Sequence, residues 1–571
     1  MMKAMPQILF ATGALFFILP IIAGLIGTWL PAFGFLPSIG RYEMSLVPFI
    51  QLFNHPSTLT SIKLSISSAL IATVVAFGIS QWLCMRLYKK STWRWLTRSL
   101  APLLAIPHLA FAIGFSFLIA PSGWIMRCLS PMLTGFNLPP DWLIVNDNYA
   151  LSLTLALVIK EIPFFLLMSL SAMSHLNVAK TLHIAASYKY SHTQAWIKLV
   201  FPQMFKQLRL PLYAVLSYAL SVIDVSLVLG PTTPATFAVL INQWFNNPDT
   251  DYRIMGASAA CCLLLLVITL IYIFYLIELW IKKSTKNWLI AGPTHRPHNT
   301  LRLRSAAMFV WSLLVVSTFA TLVALLVWSL TQQWRFPSAL PSQWTLKYWL
   351  KSSSLIAQTL YNTAIIGVSS AAIGLIISIF ILQWQSEAAR RYLPTGQVFR
   401  PKFWILTILY LPILIPQVSF LFGVQVLLIS LSLEGLMFSL IWSHLLFVLP
   451  YCYLSLAKSY LQFDERYLHI GATLCQSKWR ALVYIKWPML LRPLSFSFAI
   501  GFAVSASQYL PSLYVGAGRV NTLTLETVAL ASGSDLRVTS VFALWQFLLP
   551  LLIYLAALGI PQYLYRHRRS I

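Results

Sequence analysis

Three ionisable residues interrupt long apolar stretches of this sequence. Lys160 and Glu161 lie side by side in one stretch, and Asp224 lies in another. An ionisable group near the middle of a bilayer costs about 2.5–3.5 kcal/mol on insertion scales, so it normally faces protein or a water-filled cavity. Adjacent residues point about 100° apart on a helix, so Lys160 and Glu161 do not simply pair with each other. Two interpretations stay open: Lys160 pairs with Asp224 between packed spans, or Asp224 faces a water-filled cavity, where a single carboxylate would favour a cation.

The elements that must position these residues are membrane helices. Of the 571 residues, 58% are hydrophobic and 9% are charged, whereas a soluble chain carries about 25% charged residues. A helical span needs about 20 apolar residues, and a β-barrel would show short alternating segments instead. We therefore predict an all-α polytopic membrane protein of about twelve spans. They lie near 7–30, 60–84, 99–120, 150–174, 209–230, 254–280, 306–330, 357–384, 403–430, 435–457, 493–515 and 538–564.

The positive charge of the chain is distributed unevenly between alternate loops. The formal net charge is +26, and 30 of the 40 Lys and Arg residues fall in the loops that share a side with the N-terminus. The positive-inside rule places that side, and both termini, in the cytoplasm. The basic clusters are therefore topogenic loops, and nucleic acid is not expected as a partner. The protein is expected in a bacterial inner membrane.

Four sequence blocks recur in order in the two halves of the chain. The clearest is Leu182-His183-Ile184-Ala185-Ala186, which returns as Leu468-His469-Ile470-Gly471-Ala472. Ile106-Pro107-His108 likewise returns as Ile415-Pro416-Gln417. Such self-similarity indicates an internal duplication. We assign 1–281 to a first permease-like repeat, 282–305 to a linker and 306–571 to a second repeat. Six spans per repeat give both copies one orientation, with a transport path expected at their interface.

A cytoplasmic segment of some thirty residues precedes the fifth span of each half and ends in a proline. These segments, 180–202 and 466–488, are too long and too alike to be simple connections. Their pattern resembles the coupling loop of binding-protein-dependent ABC importer permeases, which reads Glu-Ala-Ala, three residues, Gly, and then a hydrophobic run to a proline. The distances from His183 to Pro202 and from His469 to Pro488 match it.

The resemblance assigns specific positions to ATPase coupling, with departures from the family pattern. His183 and His469 stand at the acidic position, and Lys189 and Cys475 replace the glycine that the family uses for its turn. The coupling residues implied are His183, Ile184, Ala185, Ala186 and Lys189 in the first half, and His469, Ile470, Gly471, Ala472 and Cys475 in the second.

The resemblance covers essentially the whole chain, which is similar to fused permeases of the thiamine and ferric-iron type, and most of all to their YnjC-type branch. It implies two copies of an ABC ATPase as partners, a periplasmic substrate-binding protein, and a surrounding lipid bilayer. ATP would be bound by the ATPase subunits, and no cofactor by this chain. It also implies that the fifth spans line the path. The residues concerned are Ser221, Asp224 and Ser226 in the first half and Ser507 and Gln508 in the second.

Other sequence features limit the alternatives. No Gly-x-x-x-x-Gly-Lys-Ser/Thr motif occurs, so energy must come from a partner or from an ion gradient. The six cysteines show no spacing typical of a metal site or a disulfide framework, and no catalytic triad motif is present. An ion-gradient-driven 6+6 transporter remains the alternative, although it would need more intramembrane carboxylates. A polytopic membrane enzyme would need larger and more charged outer loops, so we predict a transport subunit and not an enzyme.

Two outer segments follow the fifth spans, and each ends in Asp-x-Arg. They run from Gly230 to Arg253 and from Gly516 to Arg537. Both would face the compartment of a soluble binding protein, and docking of that protein is one interpretation of the motif. The other is an ion pair that caps the loop.

Overall fold

The computed structural model describes residues 5–37, 40–90, 92–174, 176–293, 300–392, 403–533 and 535–565. Residues 294–299 of the predicted linker lie outside this part of the chain, as do several basic residues used in the charge argument, namely Lys3, Arg296, Arg400, Lys402, Arg566, Arg568 and Arg569.

The first half consists of helices joined by short connections. They are α1 (Met5–Ala32), α2 (Val47–Asn54), α3 (Thr58–Leu87), α4 (Trp93–Ala105), α5 (His108–Ile119), α6 (Trp124–Leu129), α7 (Leu151–Ser174), α8 (Val178–Ser187), α9 (His192–Ala195), α10 (Phe201–Ser221), α11 (Asp224–Leu229), α12 (Phe237–Phe245), α13 (Thr250–Ser284) and α14 (Lys286–Ile290).

The second half repeats this order and adds one small hairpin of β1 (Thr331–Gln333) and β2 (Gln343–Trp344). Its helices are α15 (Thr300–Ser329), α16 (Lys347–Lys351), α17 (Ser353–Tyr392), α18 (Phe403–Leu414), α19 (Val418–Ser430), α20 (Met437–Leu461), α21 (Arg466–Cys475), α22 (Lys478–Ala481), α23 (Trp487–Met489), α24 (Leu491–Ala506), α25 (Leu510–Gly516), α26 (Leu523–Ala531) and α27 (Leu536–Leu564).

Helices occupy all twelve of the predicted apolar stretches. Among the described residues, eight are long and apolar enough to cross a membrane, and two bent helix pairs raise the number to ten. The bend between α18 and α19 is 102°, and the bend before α24 is 76°. The other two stretches are α1, whose described apolar part is Ile18–Ala32, and the pair α10 and α11. The second of these is divided by a helix break, which shortens its continuous apolar run.

Proline explains the break in the third span of each half. Ile106 is extended (φ −76°, ψ 120°) immediately before Pro107, and α5 begins at His108. The chain is interrupted in the same way at Pro416, between α18 and α19. Proline has no N–H to donate and disfavours helical geometry in the preceding residue. Each third span is therefore two shorter helices that meet at an angle.

The first helix of each half packs against the opposite half. Helix α1 packs most extensively on α19, and α15 packs on α5. At the first crossing, a Cβ on Gly24 would lie 2.5 Å from the carbonyl oxygen of Phe420. At the second crossing, a Cβ on Gly114 would lie 2.6 Å from the carbonyl oxygen of Thr321. Glycine lets these backbones approach closely, as is typical of helix pairs in membranes.

Further contacts between the halves lie near α12, which is buried almost throughout. The rings of Phe245 and Phe422 stack with centroids 4.0 Å apart. The Tyr514 hydroxyl donates a hydrogen bond to Asn242 Oδ1 at 2.9 Å. The segment after the fifth span is therefore not a simple outer loop, because α12 returns into the interior of the bundle.

Large apolar side chains also cover the outside of the long helices. On α13, Ala257 and Ala260 are fully buried, whereas Leu265, Ile268 and Tyr272 are exposed. A soluble protein rarely exposes so continuous an apolar surface. The outward faces of these helices are therefore suited to contact lipid.

Candidate translocation site and coupling segments

The first coupling segment is formed by α8, α9 and a π-helical turn over Trp196–Val200. The N–H of Phe201 donates to the carbonyl of Trp196, five residues back, immediately before Pro202. Of the predicted coupling residues, Ala185 is 2% exposed and packs inward. The others face solvent, and they are His183, Ile184, Ala186 and Lys189.

The second coupling segment has the same construction. Helices α21 and α22 lead into a π-helical turn over Leu482–Lys486, and the Trp487 N–H donates to the carbonyl of Leu482 before Pro488. Gly471 is buried against Ile485, which leaves no room for a side chain. His469 and Ile470 are exposed, and Ala472 and Cys475 are half-buried. The two π-helical turns stand at equivalent positions, and such turns are frequent at functional sites.

Both segments make a left-handed turn although neither carries the glycine of the family pattern. In the first half, Lys189 itself adopts a positive φ of 63°. In the second half, the turn falls one residue later, at Gln476 with a φ of 50°. Non-glycine residues visit this region at a cost of about 1 kcal/mol or more. The turn geometry is therefore kept without glycine.

Apolar side chains project from both coupling segments. Tyr188 is 70% exposed, Ile470 is 59% exposed and Leu474 is 78% exposed. Ile184, Trp479 and Tyr484 are exposed as well. Several exposed apolar side chains on one short segment are typical of an interface with a protein.

A buried lysine anchors each π-helical turn. Lys198 is 7% exposed and donates from Nζ to the carbonyl oxygen of Ala291 at 2.7 Å, with its ammonium 4.8 Å from the centre of the Trp288 ring. Lys486 is fully buried and lies 3.3 Å from Glu465 Oε1. The first anchor thus joins its coupling segment to the linker. The second joins its segment to α17, because Lys486 Nζ also donates to Gln383 Oε1 at 3.2 Å.

The fifth span of each half breaks at the residues predicted for the path. Helix α10 ends at Ser221, and α11 begins at Asp224 after two non-helical residues. In the second half, α24 ends just before Ser507, and Gln508 lies in the break. Ser221, Asp224 and Ser507 are half-buried. The two breaks stand at equivalent positions of the repeat, and each half carries polar residues at its break.

Ser226 is placed differently from the other four predicted path residues. Its side chain is 3% exposed. Two residues on a helix are about 200° apart, so Ser226 and the half-exposed Asp224 point to nearly opposite sides of α11. Gln508 is also buried, but its Oε1 accepts a hydrogen bond from Gln417 Nε2 at 3.4 Å.

The residues that follow the third-span prolines lie beside these breaks. Gln417 contacts Gln508, as described, and His108 holds the corresponding place in the first half. His108 Nε2 lies 3.3 Å from Glu161 Oε1, and the His108 ring packs 5.3 Å from the ring of Tyr218. His108 also lies within electrostatic range of Asp224. The broken third and fifth spans therefore form one polar region.

The predicted ion pair between Lys160 and Asp224 is wrong. Lys160 Nζ instead donates to the carbonyl oxygens of Leu103 at 3.0 Å and Ile106 at 2.7 Å. These carbonyls belong to the end of α4, where the break at Pro107 leaves them without helical donors. Lys160 therefore caps a broken helix, and Glu161 turns to His108.

Sequence reasoning missed His108, Tyr218 and Gln417 as members of this region. A signal was present, because Ile-Pro-His and Ile-Pro-Gln were recognised as a repeated block without being given a role. The partner of His108 is 53 residues away in the chain, and no local pattern encodes a contact of that kind.

The two Asp-x-Arg motifs lie at the starts of α13 and α27. Asp535 of the second motif is the N-cap residue of α27 and accepts the N–H of Arg537, whereas the N-cap residue of α13 is Asp249, which precedes the first motif and accepts the N–H of its Asp251. Asp251 also pairs with Arg41 at 2.6 Å, where both side chains are exposed. A contact of these residues with a binding protein stays a prediction.

A bundle of broken membrane helices with two external coupling segments is the arrangement of a transport permease, and comparison with known proteins agrees. The chain is 30% identical over 511 residues to the inner membrane ABC transporter permease protein YnjC of Escherichia coli (strain K12), which covers 90% of each chain. It is 25% identical over 211 residues to the "Putative 2-aminoethylphosphonate transport system permease protein PhnV" of Salmonella typhimurium, across 36% of this chain and 75% of PhnV.

No family model matches the chain. The match to YnjC is nonetheless close to full length, and on that basis this chain belongs to the family of ABC transporter permease proteins. It is a multi-pass inner-membrane transport subunit and the permease of an ABC importer. The alternative of an ion-gradient-driven transporter is set aside by this membership.

Proposed function

We propose that this permease works with two copies of an ABC ATPase, which dock on segments 180–202 and 466–488, and with a periplasmic substrate-binding protein at the opposite end. ATP is bound and hydrolysed by the ATPase copies, and their motion reaches the broken fifth spans through the coupling segments. A small solute then passes between the two halves by alternating access. Both termini lie in the cytoplasm with the coupling segments.

One observation carries the proposal. The two coupling segments share a left-handed turn and a π-helical turn before a proline, and each exposes apolar side chains such as Tyr188 and Leu474. Two similar patches on one side of the molecule suit a partner that is itself present twice. The solute path is supported by the half-buried polar residues Ser221, Asp224 and Ser507 at the breaks.

The test is co-purification of the tagged permease with the products of its neighbouring genes, followed by mass spectrometry. Ile184→Glu and Ile470→Glu each place a charge on an exposed coupling position and should lower ATPase affinity by about 30-fold or more, as for a central interface residue. Leu138→Glu is the matched control, because Leu138 is 77% exposed outside both segments. An ATPase that stays bound to both coupling variants would contradict the docking assignment.

The orientation has its own test. Cys128 is exposed, and it belongs to the predicted outer side of the membrane. A membrane-impermeant maleimide should label it in intact spheroplasts, and Cys128→Ser should remove the label. Labelling only after the membrane is opened would reverse the proposed topology.

A further inference from the structure

Glu161 is a buried carboxylate that has no part in the coupling segments or in the predicted path. Its side chain is 5% exposed. Among the described residues, Glu161 has an ion-pair contact with His108, whose Nε2 lies 3.3 Å from Glu161 Oε1. The neighbouring Lys160 is held by two backbone carbonyls at 2.7 and 3.0 Å and so is directed at the end of α4. A carboxylate kept inside a membrane protein at a cost of about 2.5–3.5 kcal/mol marks a functional site by default.

Asp224 brings a second carboxylate to the same region. Asp224 begins α11, which packs against α5 and α7, the helices that carry His108 and Glu161, and His108 contacts Glu161 directly. The Tyr218 hydroxyl lies within electrostatic range of both carboxylates, and the Tyr218 ring packs against His108 with 64° between the ring planes. Three helices, α5, α7 and α10, together with the start of α11, thus converge on two acidic groups.

The second half contributes aromatic residues to this group. Tyr509, in the break between α24 and α25, lies within electrostatic range of Asp224. Tyr451 of α20 lies within electrostatic range of Glu161. We call the six residues the carboxylate–tyrosine cluster: His108, Glu161, Tyr218, Asp224, Tyr451 and Tyr509.

Most of the cluster keeps accessible surface although it lies at helix breaks between the halves. His108, Tyr218, Asp224, Tyr451 and Tyr509 are all half-buried. The His108 side chain alone is 38% exposed. Side chains in a solid core would be closed off, so the cluster is accessible to a solute.

The chemistry of the cluster suits a particular kind of solute. Carboxylates attract positive charge strongly where water is scarce. Tyrosine rings attract cations through their π faces by about 0.5–2 kcal/mol, and quaternary ammonium groups are recognised in this way. We propose that the carboxylate–tyrosine cluster is a binding site for an organic cation, which passes between the halves at the level of Glu161 and Asp224. This inference rests on the proposed path and names the class of its cargo.

The test measures the charge preference of the space itself and needs no knowledge of the natural cargo. Ser221→Cys places a thiol three residues before Asp224, on the other side of the helix break. The background carries Cys128→Ser, Cys262→Ser and Cys475→Ser, which remove the accessible cysteines. The permease is reconstituted with its ATPase, and the thiol is treated with a trimethylammonium-ethyl or a sulfonato-ethyl methanethiosulfonate. Each modification rate is divided by that of a free thiol. Ser507→Cys provides a second position from the other half.

The expected result is a normalised preference for the cationic reagent of at least about tenfold. Asp224→Asn and Glu161→Gln should each reduce this preference, and the double variant should abolish it. Asp251→Asn, which removes an exposed carboxylate outside the cluster, should leave the preference unchanged. Tetramethylammonium should slow the modification more than potassium does at equal ionic strength.

Several results would overturn the proposal. These are equal or faster reaction with the anionic reagent, a preference that survives the double variant, and thiols that react with neither reagent at both positions. Equal protection by potassium and tetramethylammonium would show a site for charge alone and not for an organic cation. ATPase co-purification is measured on the same samples, so a failure of the permease assembly is separated from a failure of the cluster.

Discussion

The backbone of Gly423 in α19 lies directly against the backbone of Gly24 in α1. A Cβ on Gly423 would overlap the Gly24 carbonyl oxygen, and the Gly423 N–H donates to Thr28 Oγ1 at 3.1 Å. Thr28 Oγ1 in turn donates to the carbonyl of Gly24 at 2.9 Å. The two halves are therefore joined here through main chain and one hydroxyl.

Gly423→Ala should lower the free energy of unfolding by about 1–3 kcal/mol, because the added methyl forces α1 and α19 apart. The measurement is unfolding by SDS in mixed micelles. Gly78→Ala is the matched control, since a Cβ at Gly78 in α3 would meet open space. The control should be unchanged or up to about 1 kcal/mol more stable, because alanine favours helix. Equal stability of the Gly423 variant and wild type would refute the close packing.

Lys160 and Asp224 should behave as energetically independent residues. Lys160→Met removes the cap on the α4 carbonyls and should cost about 1–3 kcal/mol in the same unfolding assay. Asp224→Asn leaves that cap in place. In a double-mutant cycle, the coupling between the two changes should be within about 0.5 kcal/mol of zero. A larger coupling energy would indicate that Lys160 and Asp224 form an ion pair, contrary to the structure. Lys458→Met, at an exposed lysine bound to Ser174, is the control for removing a lysine.

His444 should stabilise the break in the second fifth span. Its Nδ1 lies 2.9 Å from Ser505 Oγ, and its Nε2 lies 3.2 Å from Ser512 Oγ. These serines stand on α24 and α25, on either side of the break, and His444 is 2% exposed.

Removing both contacts by His444→Ala should therefore cost about 1–3 kcal/mol. His444→Gln, which can still bond to one serine, should recover part of the loss. His183→Ala, at an exposed histidine, should change the free energy of unfolding by less than about 0.5 kcal/mol. If His444→Ala changed the free energy of unfolding as little as His183→Ala does, the hydrogen bonds of His444 across the break would not stabilise the protein.

The first coupling segment should loosen in acid. His192 stacks on Trp196 with ring centroids 6.0 Å apart. Partial burial, and then the nearby charges of Lys90 and Arg86, lower the pKa of His192. The folded segment therefore binds fewer protons than the unfolded segment near the ordinary histidine pKa of about 6.5. Stability should rise with pH through this window and fall as the pH drops below it.

The measurement is hydrogen exchange of peptides that cover 188–202, at pH 7.5 and 5.5, corrected for intrinsic exchange rates. Faster corrected exchange at the lower pH is expected for wild type, and His192→Gln should remove the difference. A pH effect that persists in His192→Gln would assign it to another group.

Local sequence patterns predicted much of this molecule because local forces determine it. Apolar runs predicted helices at all twelve stretches, and the spacing to Pro202 and Pro488 picked out two segments that share a π-helical turn before the proline. The left-handed turn at Lys189 was not predictable, since the pattern calls for glycine and lysine rarely adopts a positive φ. Only the contacts of the folded segment hold it there.

Contacts between distant elements were the part that the sequence could not supply. Lys160 donates to carbonyl groups at the end of α4. An argument from helix periodicity considers only other side chains as partners, so it could not predict this contact. His108 was visible as part of a repeat, but its neighbours Glu161 and Tyr218 come from other helices. The composition of α1 likewise predicts that this helix crosses the membrane. It does not predict which half of the protein α1 packs against.

The exchange of first helices between the halves has a consequence for how the chain is made. Gly24 leaves the ribosome about 400 residues before its partner Gly423. At about 5–20 residues per second, α1 waits roughly 20–80 s for the surface that it packs against. During that time it can pack only on elements of the first half, such as α13, whose Ser258 hydroxyl donates to the Ala32 carbonyl at 2.9 Å. The newly inserted first half is thus an open intermediate, and it is completed only when α15 and then α19 have been made.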